Sequence, residues 1–564
     1  MFGSLLASLV LLASPSPSPA DSTATQRFDA LVQRHMLQRA RRDPEWATGV
    51  GIQTYNSRLT DRTAAAYRSD SVRLAGEHTA LLTIDTAKLD ERRRVDWLVL
   101  ESVLRVGLHD HGLRNWERRP AAYLPFSAIH HLAVSTTPGP AARMSQLRSR
   151  LEAWPAALAA GRRQLKPART PKFWIDLDAG SARRVATWLK NDLPPMVAKQ
   201  GGNTLAFRTS LDAAVRATEA WAAFLADSLA LQATGDWRTG SAEYDWRLAN
   251  SKMIDQTAAS LITLGYEAFH ETERDLAALA KTIDSTRTWR QLADSSKMLH
   301  PPADSIFAAY SAENARARAF VVAKQLVSVP PQERLDMILT PPHLRQTYAY
   351  GGYWPAAPFE KTRVGRFFVT PVEEGWTAEQ VQSKLRGHNY GWITVVSVHE
   401  GYPGHHLQTL HTANQQSQVR KVYGSDIFGE GWGLYSEEMM YRHGFFPSPL
   451  ARLTQLRMRL WRAARVIIDP SIHTGRWTMD EAVQFFVDSV GLERADAVAE
   501  VTRYTTWPTQ AVSYLIGMRE IDRLRADAQK QLGASFNERR FHDTVLRQGS
   551  LPPPLMRRAV LPAL

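Results

Sequence analysis

Apolar residues recur at three-and-four spacing over most of the first three hundred positions. VDWLVLESVLRVGL (95–108), AARMSQLRSRLEAWPAALAAGRRQL (141–165), SLDAAVRATEAWAAFLADSLALQ (210–232) and NARARAFVVAKQLV (314–327) each set an apolar stripe on one side of a 3.6-residue period. The pattern predicts core-facing helices, with the Trp and Leu stripes read as packing rather than as a cofactor box. Near residue 340 it changes. TPPHLRQTYAYGGYWPAAPFEKTRVGRFFVTPVEEGW is rich in Pro, Gly and aromatics, and its RFFVT segment (366–370) is dense in β-formers, which predicts a short strand. Beyond Trp376 helical spacing returns. It predicts one helix through VSVHEGYPGHHLQTL (396–410), a second over GEGWGLYSEEMMYR (429–442) and a long Arg-rich amphipathic helix over about 449–468. No fixed-period repeat and no flexible linker interrupts the chain. The expectation is a mainly α protein with a small sheet, one compact unit in which a helical part (21–340) leads into a part (341–564) that bears the chemistry.

Composition narrows the classes. The chain has 564 residues, 44% apolar and 22% charged, with 17 Trp, as an ordinary globular protein with a large core would. Its formal charge is +13. Only 13 of the 69 basic residues are Lys, however, and the arginines are scattered through amphipathic stretches such as ERRRVDWLVLESVLRVGL. They read as solvated helix faces, with no nucleic-acid module. Cysteine is absent, so disulfides, thiolate metal sites and cysteine nucleophiles are excluded, and any metal must be held by His and carboxylate. The N-terminal MFGSLLASLVLLASPSPSPADS has an apolar run of about ten residues, then small residues Ser18 and Ala20 ahead of Asp21. It reads as a secretory signal over residues 1–20, too short to span a bilayer and with no Cys after it to carry a lipid. A secreted or periplasmic location is therefore expected, with no integral membrane segment.

The segment VSVHEGYPGHHLQTL carries the candidate chemistry. His399-Glu400 opens like a helical zinc site, but Pro403 stands where the second histidine of H-E-x-x-H belongs. On an undistorted helix His406 would share a face with His399 yet lie about 10 Å along the axis, too far for bonds of about 2.1 Å. Pro403 removes a helical hydrogen bond and Gly404 permits unusual backbone angles, so a bulge can bring His405 or His406 to where the fourth residue would stand. Glu430 follows on the next helix, placed to supply a carboxylate as the third ligand. In EVTRYTTWPTQAVSYLIGMREI (500–521), Gln510 and Tyr514 are four apart on an apolar stretch and can face one way. A tyrosine so placed can donate to the oxyanion formed when water attacks a carbonyl.

The combination HEGYPGHHLQ, EGWGLYSEE and RYTTWPTQAVSYLIG, preceded by GGYWPAAPFEKTRVGRFFV, resembles the bacterial domain-of-unknown-function family 885. The resemblance places the chain beside the zincin-like (gluzincin) metallopeptidases of the peptidase MA clan, among them the helical oligopeptidases and Taq-type carboxypeptidases. It implies a large helical fold split by a deep channel, with residues 21–340 as its wall, one zinc ion on its floor and a small sheet nearby. It favours His405 over His406 as the second ligand beside His399 and Glu430, and gives Glu437 and Glu438 the task of orienting the histidines. The sequence departs from the family's usual form at Thr509, where Gly commonly stands, and at Gly433, where Ala is usual; both departures read as tolerable.

The leading expectation is a zinc metallopeptidase for short peptides: His399, His405 and Glu430 on the metal, Glu400 as general base and Tyr514 on the oxyanion. His473, Gln510, Arg503 and Arg366 are candidate substrate contacts, the two arginines (with Arg363) for a terminal carboxylate. Two other readings stay open: a zinc-dependent amide or ester hydrolase of non-peptide conjugates, and a non-catalytic secreted binding protein whose site has decayed.

Overall fold

The computed structural model describes residues 23–564 apart from residues 136, 332, 342–344 and 346–349, so the expected signal segment lies outside the described residues. The fold is mainly α with one small sheet. Helix starts are written into the local sequence. Thr23, Thr257 and Thr377 each open a helix with a reciprocal capping box, Asp90 caps the helix of the first predicted stripe, and the Asn389 side chain accepts from the Trp392 amide at the start of the helix leading to His399.

The helices that matter here are α1 (Ala24–Arg42), α2 (Glu91–Gly112), α3 (Pro140–Gln164), α4 (Lys172–Asn191), α5 (Leu205–Phe224), α6 (Ala258–Ile283) and α7 (Ile306–Ala323). After the sheet come α8 (Tyr390–Val396), α9 (His405–Ala413), α10 (Asp426–Arg442), α11 (Pro449–His473), α12 (Arg494–Thr506) and α13 (Ser513–Leu532). Their apolar stripes converge on three cores. The largest joins Phe28, Leu100, Leu261 and Val321 from the first half to Trp432, Ile467 and Leu515 from the second, with α6 laid along α11 and α10 along α13. A second core lies within the first half, where α3, α4 and α5 pack with the short helices and turns beside them around Trp154, Ile175, Trp188 and Trp221. Residue 340 is thus no boundary of the core, because α1, α2, α6 and α7 bury their apolar faces against the helices around the candidate site.

The sheet has the order β1-β3-β2: β1 (Arg334–Leu339) runs parallel to β3 (Val364–Val369), and β2 (Gly351–Trp354) antiparallel to it. β3 is the strand expected at 366–370. Its Phe367 and Val369 fill the third core with Ile306, Tyr310, Leu385 and Ile393.

The arginines depart from the expected solvated faces at several positions. Arg150, Arg420, Arg462 and Arg465 are buried. Arg150 donates to the carbonyls of Arg58, Ala128 and Pro44 and to the Thr48 hydroxyl, tying α3 to the segments before it, and burial brings its guanidinium down to about 10. Periodicity did not reveal these because a buried guanidinium needs partners from distant segments. Among the described residues no helix is long and apolar enough to cross a membrane.

Candidate metal centre

The segment from His399 to His405 is not one helix, and this corrects the expectation drawn from the sequence. Regular α8 stops at Val396 and widens into a five-residue π-helical turn, Ser397–Gly401. Tyr402 is extended, the Tyr402-Pro403 peptide is cis, and α9 begins at His405. The Tyr402 amide reaches back five residues to the Ser397 carbonyl and the Gly404 amide six to Val398. Gly404 is required here, since a Cβ on it would lie 1.9 Å from the His399 carbonyl oxygen. The buried Trp432 of α10 donates from its indole to the Pro403 carbonyl at 2.8 Å and pins the insertion. Pro403 and Gly404 therefore build the device that shortens the path between the histidines.

His399, His405 and Glu430 come together, each offering a ligand atom within 4.8 Å of the other two. One carboxylate oxygen, Glu430 Oε2, lies 3.7 Å from His399 Nε2 and 3.4 Å from His405 Nε2. Ligands on a tetrahedral zinc at about 2.0–2.1 Å stand about 3.4 Å apart, so these separations fit a single ion. The donor set, two imidazoles and a carboxylate, is one that catalytic zinc uses. Glu437 on α10 accepts from His399 Nδ1 at 2.9 Å, which leaves Nε2 to face Glu430 and fixes the tautomer a ligand needs. Burial opposes charge on His399, but the carboxylates of Glu430 and Glu437 outweigh it and push the metal-free imidazole up to about 9. Burial likewise opposes charge on Glu430, and its two histidine partners hold it well below the usual carboxylate range.

Glu430, Gly433 and Glu437 share one stripe of α10, at i, i+3 and i+7, facing the same imidazole. Gly433 is closest: a Cβ there would lie 2.6 Å from His399 Cε1, so the departure at 433 sets how near α10 can approach rather than being neutral. Glu438, a hundred degrees around the helix, pairs instead with Arg452 at 2.7 Å and takes no part in orienting the histidines.

The other predicted residues divide. Glu400 lies in the π turn beside His399, half-buried. Tyr514 stacks at 6.3 Å centroid distance and 19° on the His399 ring; burial and the nearby Glu430 push its hydroxyl up to about 12, so it remains an O–H donor at neutral pH. Gln510 does reach the cluster, its Nε2 lying 3.4 Å from Glu430 Oε1, but it does not share a helix with Tyr514. α12 ends at Thr506, and a turn through Pro508 and Thr509, with φ of +67° at Thr509, separates it from α13. The buried Asp469 holds that turn by accepting from the Thr509 amide at 2.9 Å. Arg503 donates to Gln510 Oε1 at 2.6 Å.

His406 is not a ligand in this arrangement. It is fully buried, facing Glu333 Oε2 through Nε2 and the Tyr353 hydroxyl through Nδ1, each at 3.2 Å. His473 is also corrected: 0% exposed between Trp237 and Tyr244, it donates from Nε2 to the Tyr504 carbonyl and presents nothing to a substrate. Arg363 donates to the Ala413 carbonyl at the end of α9. Arg366 follows Gly365, whose missing Cβ faces His406, so alternation turns it to the other side of the sheet, where its charge acts on Glu360 and His131.

Two arginines near the site escaped sequence reasoning. Arg465 donates through Nε and Nη2 to Glu500, which also accepts from Arg503 and Tyr504, and its guanidinium lies 4.5 Å from the Tyr514 ring centre. Arg462, buried one turn earlier, sits within the field of Glu437. Their i, i+3 spacing was visible, but nothing local marks which arginines of an Arg-rich helix turn inward.

Among the solved structures that share the fold are two bacterial proteins. One, from Shewanella oneidensis and described as a candidate lipoprotein of unknown function, is 21% identical with a TM-score of 0.80, covering 95% of this chain and 99% of its own. The other, a candidate lipoprotein from Colwellia psychrerythraea, is 16% identical with a TM-score of 0.81, covering 95% and 98%. No curated protein matches. A family profile covers residues 44–560, nearly the whole described chain and every residue of the cluster: the chain belongs to the family described as bacterial protein of unknown function (DUF885).

Proposed function

We propose that the chain is a zinc-dependent hydrolase that cleaves peptide bonds of short peptides outside the cytoplasm. The observation that carries this reading is the convergence of His399 Nε2 and His405 Nε2 on one oxygen of Glu430 at tetrahedral spacing, with Glu400 adjoining and Tyr514 stacked behind. A zinc ion held by His399, His405 and Glu430 would supply a Lewis acid and would bring the pKa of a water toward neutrality. Glu400 accepts the proton of the attacking water and returns it to the leaving amine. Tyr514, protonated well beyond neutral pH, donates to the oxygen on which negative charge develops. Glu437 keeps His399 in the required tautomer. The extracytoplasmic setting is supported by the description of both similar structures as candidate lipoproteins.

Elemental analysis of the purified protein beside its Glu400→Gln, His399→Ala and His405→Ala variants, with turnover of a short-peptide library, tests the reading. Near one zinc per chain is expected in wild type and Glu400→Gln and not in the histidine variants, with hydrolysis falling about 10²- to 10⁴-fold in Glu400→Gln. Full activity in Glu400→Gln, or zinc content indifferent to both histidines, overturns it.

A further inference from the structure

Gln510 stands where sequence reasoning expected a substrate contact, but its surroundings give its amide another task. An amide has one accepting and one donating end, and neighbours decide which way it points. Arg503 carries only donors and lies 2.6 Å from one end, so that end is Oε1. Nε2 must then face Glu430, 3.4 Å from Oε1 of the carboxylate. The other oxygen, Oε2, is the one both histidines approach. Arg503 is held in turn by Glu500, which Arg465 and Tyr504 anchor from α11 and α12. The Gln510 amide also acts on the Tyr514 hydroxyl one turn on.

We propose that Gln510 is a positioning residue for the metal centre: oriented by Arg503, its amide occupies one oxygen of Glu430 so that the carboxylate presents the other alone to the ion shared with His399 and His405. Glu430 would then offer the ion Oε2 only, with Oε1 taken up by the amide. The chain Glu500, Arg503, Gln510, Glu430 carries this constraint from the α11–α12 contact to the ligand.

The inference rests on the zinc reading, and its test keeps the two apart. Zinc affinity is measured by competition with a chromophoric chelator for wild type, Gln510→Leu, Arg503→Met and Arg503→Lys, with circular dichroism and thermal unfolding of each metal-free protein. Gln510→Leu is expected to weaken zinc 10- to 100-fold at near-unchanged metal-free stability, in the range that outer partners of metal ligands command. Arg503 is 33% exposed, so its replacement is tolerated by the fold even where that of Gln510 is not. Arg503→Met is expected to weaken zinc several-fold by freeing the amide to turn over, and Arg503→Lys, still donor-only, to restore most of the loss. Wild-type affinity in Gln510→Leu or Arg503→Met overturns this inference alone; absence of stoichiometric zinc in the wild type overturns the metal centre itself.

Discussion

Glu437→Gln separates two opposing effects at the centre. The carboxylate accepts from His399 Nδ1 at 2.9 Å and is fully buried. An amide oxygen in its place still accepts, so what is lost is the charge assistance, about 1–1.5 kcal/mol, or roughly tenfold in zinc affinity. The same carboxylate also helps raise the metal-free imidazole to about 9. Zinc must displace that proton, and at pH 7 a pKa two units higher lowers the apparent affinity about 100-fold, against about twofold at pH 9. The substitution relieves part of this competition, so the loss of affinity should be near tenfold at pH 9 and smaller at pH 7. The metal-free fold follows the same linkage. A pKa raised in the folded state means the His399 contribution to stability is present below the unfolded value of about 6.5 and is lost as pH rises through about 9. Chelator-buffered zinc titrations at both pH values, with calorimetry in buffers of different ionisation enthalpy, read the affinities and the protons released. Equal losses at pH 7 and pH 9, or no proton released by wild type at pH 7, would refute the account.

Two further expectations follow from the backbone. Thr509, at φ +67°, is a β-branched residue in the left-handed region, so Thr509→Gly should be about 1 kcal/mol more stable than Thr509→Ala by denaturant unfolding; equal stabilities would show that the turn carries no strain. In Gly433→Ala the new Cβ would meet the His399 ring at 2.6 Å and force it away from Glu437 or the ligand position. Zinc affinity should fall about tenfold despite the roughly 0.5–1 kcal/mol that alanine adds to helix preference, and an unchanged affinity would mean that α10 moves freely.

The sequence by itself determined most of the helices, the strand near 366 and the short set of residues from which the candidate cluster is drawn. Helical periodicity, capping threonines and the Pro403-Gly404 interruption act over a few residues, so they can be read from neighbours alone. The choice between His405 and His406 was not local. Adjacent on one helix, they differ only in what lies beyond it, and Glu333 with Tyr353 captures His406 while Glu430 meets His405. Glu437 and Glu438 are the same case, divided by the hundred degrees that put one against His399 and the other against Arg452. His473, a candidate substrate contact just past the helix expected over about 449–468, became a buried residue because α11 runs on through Pro470 to His473. Gln510 acquired its orientation from Arg503 across a turn that interrupts the helix expected there. The tertiary structure decided these points because a side chain's role depends on which partner satisfies its polar atoms once water is gone, and those partners come from other structural elements than the side chain's own.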